Sequence, residues 1–273
     1  MMIPIKTDPE SGILYRQWQV DSPRAVFLLV HGMGGHSARW GFFTDYFKEK
    51  NFSLYAIELK GFGETKELKG HVDSFDVYYN DLRALSAIIK KENPGKKIIL
   101  VGESMGGLIA FVFALKEPRI LSGAVCMVPA FGSAMKFSAL TYFQIFTSLL
   151  YDRRKQFKMP FDAKMCTKDT EYQKVMDANP AEHRFATSGL LLGILIEQLR
   201  AMARKNDLKV PVLFMASGKD YLVDENLVRK VFGGMKVEDK EIIEYPELLH
   251  ALPIELERQK VFDDVLNWVN KKI

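Results

Sequence analysis

Short, unbroken apolar runs recur along the chain, separated by longer stretches in which apolar residues fall three or four apart. Ala25 to His31 (AVFLLVH), Phe52 to Leu59, Lys97 to Gly102, Ser122 to Val128, Val210 to Ser217 and Glu241 to Tyr245 are of the first kind. Such runs predict strands, and a continuous run rather than an alternating one predicts a strand covered on both faces. Between them, Asp73 to Glu92 places Phe75, Tyr78, Leu82, Leu85 and Ile89 on one helical face, and Asn93-Pro94-Gly95 stops the helix. Ile254 to Val269 predicts a last helix. Strands alternating with helices predict an α/β fold: a mostly parallel sheet with helices on both sides. Ligands of such sheets sit beyond the carboxyl ends of the strands, so the residues that follow each strand carry the interest.

The rhythm breaks from Phe131 to Asn206, where no strand is evident and three helical patterns follow one another: FSALTYFQIFTSLLY, EYQKVMDA and GLLLGILIEQLRAMARK. The first and third are apolar over more than one face and need something to cover them. The expected organisation is a sheet domain of residues 1–130 and 207–273 with a helical cap, 131–206, inserted into it. Composition agrees with a globular chain: 273 residues, 48% hydrophobic and 26% charged. The formal charge of +4 is mild and predicts no nucleic-acid partner; the densest cluster, Arg153-Arg154-Lys155 with Lys158, reads as a solvated face. Cys126 and Cys166 have neither zinc-knuckle nor disulfide-framework spacing, and Cys126 reads as an inert core thiol. The N-terminus lacks the apolar segment of a signal peptide, and the longest uncharged apolar stretch, Gly189 to Ile196, is too short for a bilayer. The expectation is a cytoplasmic protein, at most peripheral to membranes.

Two glycine-rich turns carry candidate chemistry. HGMGGHSARW, His31 to Trp40, follows a strand and precedes a helix. Its G-x-G-x-x-Ser resembles a dinucleotide-binding turn, with Glu58 placed for a ribose contact, but the third glycine is missing, and no phosphate-loop lysine follows. The second turn is VGESMGG, Val101 to Gly107: G-x-S-x-G between the strand KIILVG and the helical LIAFVFALK. That context is what a nucleophile elbow demands, with Ser104 on a strained turn and Gly102, Gly106 and Gly107 permitting close packing. A serine needs a base, and the base needs an orienting acid. His250, in a loop after the last predicted strand, is the candidate base. For the acid, Asp220 and Asp224 both follow VPVLFMAS; Asp220 is preferred, and Asp224 reads as a helix cap. The first turn then acquires a role: the backbone N–H groups of Met33 and Met105 are candidate donors to a tetrahedral oxyanion.

With HGMGGHSARW, ELKGFGET, GHVDSFDVYYNDL, GESMGG, GKDYLVDENL and LLHALPIELERQKVFDDVLNWV in place, the sequence resembles the α/β-hydrolases, and more narrowly their monoacylglycerol lipase and lysophospholipase branch. The resemblance implies Ser104, Asp220 and His250 as a catalytic triad and Met33 and Met105 as oxyanion donors, with no metal or cofactor. It implies hydrolysis of a small-molecule ester with an apolar acyl chain, monoacylglycerols first, and lysophospholipids or short-chain and aromatic esters as the alternative. A transient contact of the cap with a membrane surface is a further implication. Glu58 stands where the branch usually has Asp, and Thr65 where it often has Ser; Glu103, before the serine, occupies a variable position. Glu58 is expected to hold its loop. In the cap, Phe137, Tyr142, Phe143, Phe146, Leu149, Leu190, Leu191 and Leu195 are each expected in the core joining cap to sheet, with an acyl tunnel as the other reading. A catalytically idle binding module, C–C bond hydrolysis and peptidase activity also fit the fold; an intact triad speaks against the first.

Overall fold

A computed structural model describes residues 3–273; Met1 and Met2, at the head of the leaderless N-terminus expected above, lie outside it. The strands are β1 (Lys6–Thr7), β2 (Leu14–Trp18), β3 (Val26–Val30), β4 (Ser53–Glu58), β5 (Ile98–Glu103), β6 (Gly123–Met127), β7 (Gln156–Lys158), β8 (Phe185–Thr187), β9 (Val212–Ser217) and β10 (Lys240–Tyr245). The helices are α1 (Gly41–Glu49), α2 (Phe75–Glu92), α3 (Met105–Lys116), α4 (Ala139–Tyr151), α5 (Ala163–Cys166), α6 (Thr170–Ala178), α7 (Ser188–Arg204), α8 (Glu225–Gly233) and α9 (Arg258–Asn270). Eight strands form one sheet in the order β1-β2-β4-β3-β5-β6-β9-β10, parallel from β4 to β10, with β1 and β2 added antiparallel at one edge.

The continuous apolar runs are buried on both faces because successive side chains alternate across the pleat. Val26, Leu28 and Val30 of β3 enter one core with the inward faces of α2, α3 and α8, whereas Phe27 and Leu29 enter the other with α1 and α9. On α2 the five expected apolar positions are buried, Ser74 caps the start by accepting from the Asp76 N–H, and Asn93 ends the helix. Leu14–Trp18 was not expected as a strand. Tyr15, Arg16 and Trp18 are buried, and Arg16 reaches Ser37 and Glu64.

Between β6 and β9 the chain contributes no strand to this sheet. It does contain β-structure, contrary to expectation: β7 and β8 pair antiparallel over three residues each, too short to show a period in the sequence. The expectation that α4 would be covered is also overturned. Of its 13 residues only Ser148 is buried, while Leu140, Phe143, Phe146, Leu150 and Tyr151 are all more than 60% exposed.

Candidate active site

The loops after β3, β5, β9 and β10 meet at one end of the sheet. After β5 the chain turns sharply into α3, and Ser104 takes φ 58°, ψ −120°, a conformation that side-chain-bearing residues avoid. The turn is held from several sides: Ser104 N–H donates to Met127 O at 2.9 Å, and Ser104 O accepts from Leu108 and Ala130. The neighbouring glycines are sterically required. A Cβ on Gly102 would lie 2.1 Å from Gly106 O, and one on Gly106 would lie 2.2 Å from Val30 O.

Gly32 brings the β3 loop against this turn, its Cβ position 3.0 Å from Ser104 Cβ. Met33 and Met105 line the cavity beside Ser104. Neither backbone N–H donates to another group among the described residues, so both are free to meet a ligand oxygen. Glu58 secures the loop by accepting from Ser37 N–H at 2.6 Å and Glu64 N–H at 2.7 Å, with Arg16 3.6 Å away. Its carboxylate is thus committed to protein groups, as expected, and not placed for a ribose. Burial pushes the Glu58 carboxyl up, but His31 and the two hydrogen bonds outweigh it and hold it below its ordinary range. Gly34, at φ 80°, lies against the backbone of His183, so the space over the turn is filled by protein. The dinucleotide reading has no room.

The partners of β9 and β10 settle which aspartate faces the histidine. Tyr245 pairs with Ser217, so the two strands end together. Ser217 Oγ donates to Leu249 O at 2.9 Å and Gly218 N–H to Tyr245 O at 2.9 Å, tying one loop to the other. Asp220 Oδ2 accepts from His250 Nδ1 at 2.7 Å, while its Oδ1 takes the N–H groups of Leu222 and Val223. Asp224 instead caps α8 through Asn226 N–H at 3.0 Å. His250 is 4% exposed. Burial disfavours its charged form, but the Asp220 carboxylate, its hydrogen bond and the charge of Glu103 prevail and raise the imidazole above its ordinary 6.5. Ser104 and His250 line the same cavity, although no hydrogen bond joins them; such contacts commonly close only when substrate is bound.

The other histidines are structural. His31 bridges Gly32 O and Leu59 N–H, His36 contacts Asn179, His71 contacts Thr187, and His183 contacts Gly61 O. The last three each join the sheet domain to the 131–206 segment. Cys126 is buried in the core, where burial pushes its thiol up.

The cavity holds about 460 Å³. Six of the eight apolar residues expected in the core line it, namely Phe137, Tyr142, Phe146, Leu149, Leu191 and Leu195, and of these Phe137 and Leu191 also pack against the core. Leu190 is core, and Phe143 faces outward at 64% exposure. Four participants escaped the sequence reading. Ser217 and Glu255 position the His250 loop, Glu255 accepting from Leu249 N–H at 2.9 Å and Lys168 N–H at 3.0 Å. Arg39 and Glu103 bring ionisable side chains to a mostly apolar wall. Only the place of Glu103 beside the serine could have flagged any of them.

Comparison with known proteins gives a consistent setting. A family model described as serine aminopeptidase, S33, matches residues 21–257. A monoacylglycerol lipase of Mycolicibacterium smegmatis is 26% identical over 94% of this chain and 92% of its own length. Phospholipase YtpA of Bacillus subtilis is 28% identical over 90% of this chain and 95% of its own. Among solved structures, a soluble variant of monoglyceride lipase from Saccharomyces cerevisiae in complex with a substrate analogue superposes with a TM-score of 0.87. That match covers 100% of this chain and 96% of the other at 19% identity, a likeness of fold. With an eight-stranded, mostly parallel sheet and a family match over most of its length, the chain belongs to the S33 serine aminopeptidase family of α/β-hydrolases.

Proposed function

We propose that the chain hydrolyses carboxylic esters of lipid-like substrates, monoacylglycerols first among them, through an acyl-enzyme on Ser104. The observation that carries this reading is one cavity holding a strained serine, a histidine paired with a buried aspartate, and a wall of Phe137, Ile145, Phe146, Leu149, Leu191 and Leu195. His250, oriented by Asp220, takes the Ser104 proton as Oγ attacks the ester carbonyl. The N–H groups of Met33 and Met105 hold the oxyanion; each such donor contributes about 3 kcal/mol to the transition state. His250 then gives its proton to the leaving alcohol, and water, deprotonated by the same ring, releases the acid. No step in this scheme draws on a metal or cofactor.

Residues 131–206 act as the cap whose apolar wall accepts the acyl chain. The bacterial monoacylglycerol lipase supports a glycerol ester, and the bacterial phospholipase keeps lysophospholipids as the alternative. The outward side of α4 suits transient contact with a membrane surface from the cytoplasmic side. Segment 134–158 carries Lys136, Arg153, Arg154, Lys155 and Lys158 against Asp152 alone, a surplus equal to the +4 of the whole chain. No described helix is long and apolar enough to cross a membrane, so such contact would be peripheral.

A fluorophosphonate probe tests the nucleophile. Labelling of the wild type and none of Ser104→Ala is expected; equal labelling of both would refute the mechanism. Faster turnover of peptides than of octanoyl esters would move the substrate to an amide.

A further inference from the structure

Two charged groups in the cavity have no place in the proton-transfer chain. Glu103 is 4% exposed, and its Oε1 is buried without a hydrogen-bond partner. Arg39, from the turn Ser37–Trp40 that follows the Met33 loop, lines the same cavity with its Nε buried and equally unpartnered. Its nearest carboxylate is Glu182, at 3.9 Å from Nε, and a terminal nitrogen contacts only Met176 Sδ, at 3.7 Å. Glu103, Arg39 and His250 line the same cavity as Ser104. A buried polar atom without a partner is expensive and calls for a reason, and a bound ligand is one such reason.

The chemistry of the two groups narrows the ligand. A carboxylate only accepts hydrogen bonds and a guanidinium only donates them. A hydroxyl does both, so a neutral alcohol with a free hydroxyl can donate a hydrogen bond to Glu103 and accept one from Arg39. A phosphate group satisfies Arg39 but sets its charge against Glu103. A trimethylammonium group suits Glu103 but offers nothing to Arg39 and repels it. Most of the other lining residues are apolar, Phe146, Leu149, Leu191 and Leu195 among them, and suit the acyl chain.

We infer that Glu103 is a specificity-determining residue that, with Arg39, selects leaving alcohols bearing a free hydroxyl and disfavours phosphate-bearing head groups. The inference rests on the ester-hydrolase reading and decides between its two substrate classes.

The test compares kcat/KM for three esters of one acyl chain: 1-octanoylglycerol, methyl octanoate and 1-octanoylglycerol 3-phosphate, read on the alkaline plateau. The wild type is expected to prefer the glycerol ester over the methyl ester by about tenfold, the worth of one good hydrogen bond to a charged group. It is expected to prefer it over the phosphate-bearing ester by about a hundredfold or more. Glu103→Leu should lower the glycerol-to-methyl ratio about tenfold, and Glu103→Gln should raise the phosphate-to-glycerol ratio by a similar factor. Ratios that move less than about twofold in both variants would overturn the inference, as would a wild type that cleaves the neutral and phosphate-bearing esters equally well; the latter needs no variant to fold. If methyl octanoate is cleaved but the ratios are flat, only this inference falls. If no ester is cleaved and Ser104 is not labelled, the ester-hydrolase reading falls first.

Discussion

The floor and the roof of the cavity are built in opposite ways. Around Ser104 the backbone is determined from every side: three hydrogen bonds at the serine, glycines with no room for a methyl group, and Glu58 holding the adjoining loop. Over it, α4 buries one residue of 13 and exposes a row of large apolar side chains. The difference fits the tasks proposed for the two regions. Stabilising an oxyanion requires donors fixed before the reaction starts, whereas admitting an acyl chain requires apolar surface that is not already spent on packing. Polar contacts do tie the two regions, among them those of His36, His71 and His183, Tyr79 with Glu197, and Lys168 with Glu255.

The largest effects should come from the floor. Asp220→Asn is expected to keep the fold and lower kcat about 10⁴-fold, because the histidine loses its orienting charge. Asp224→Asn, at a helix cap where Asn serves as well, should change kcat less than about twofold. Steady-state hydrolysis of a soluble ester reads both, and a larger loss from Asp224 would reassign the acid.

Next in size is a test of sterics. Gly106→Ala puts a methyl 2.2 Å from Val30 O and 2.5 Å from His31 O, both backbone atoms that cannot yield cheaply. A loss of about 3 kcal/mol or more is expected in denaturant unfolding. Gly41→Ala, at the start of α1 with nothing within 4 Å, should instead be neutral or gain about 0.5 kcal/mol.

Acid separates function from stability within the floor. His250 must be neutral to act, and its value lies above 6.5, so kcat/KM should fall with a midpoint above pH 6.5. For stability the same raised value works the other way: its contribution is present below pH 6.5 and fades as pH rises through the folded value. Burial lowers His36 to about 4, so its contribution is full above pH 6.5 and is lost as pH falls toward 4; the depressed Glu58 carboxyl is lost at more acid pH still. Activity should therefore be lost reversibly at pH 6 while circular dichroism stays unchanged. A midpoint below pH 6.5, or unfolding that coincides with the loss, would contradict this.

Legibility in the sequence divides along the same line. The floor could be read because its chemistry is local: strand, G-x-S-x-G and helix are contiguous, and the loops after β9 and β10 follow unmistakable apolar runs. Even there, the sequence could only prefer Asp220 to Asp224 by its place after the strand; the fold adds that Asp220 bonds His250 while Asp224 caps α8. The strand Leu14–Trp18, second from the sheet edge, was hidden by Arg16 and Gln17; Arg16 fills a buried position by pairing with Glu64. In the roof, periodicity showed that α4 and α7 are apolar but carried no information on what covers them, so residues of the cavity wall were expected in the core. Glu103 and Arg39 are single positions, invisible to any periodic signal until the fold places them together.

The smallest predicted effect sharpens the comparison most. Phe143 is 64% and Leu150 82% exposed, and neither lines the cavity. Replacing either by Ser removes little buried area, so unfolding free energy should change by no more than about 0.5 kcal/mol. Were α4 a conventional core helix, the same change would cost about 2 kcal/mol or more. Binding to vesicles of anionic lipid should respond in the opposite sense, since each side chain would give up about 1.5 kcal/mol or more of transfer free energy on insertion. Calorimetry and vesicle co-sedimentation on the same variants measure the two quantities side by side. Unchanged stability with weakened sedimentation would mean that the roof keeps its apolar surface for a lipid phase and not for the fold. Lost stability with unchanged sedimentation would put α4 among the packed helices and erase the contrast between roof and floor.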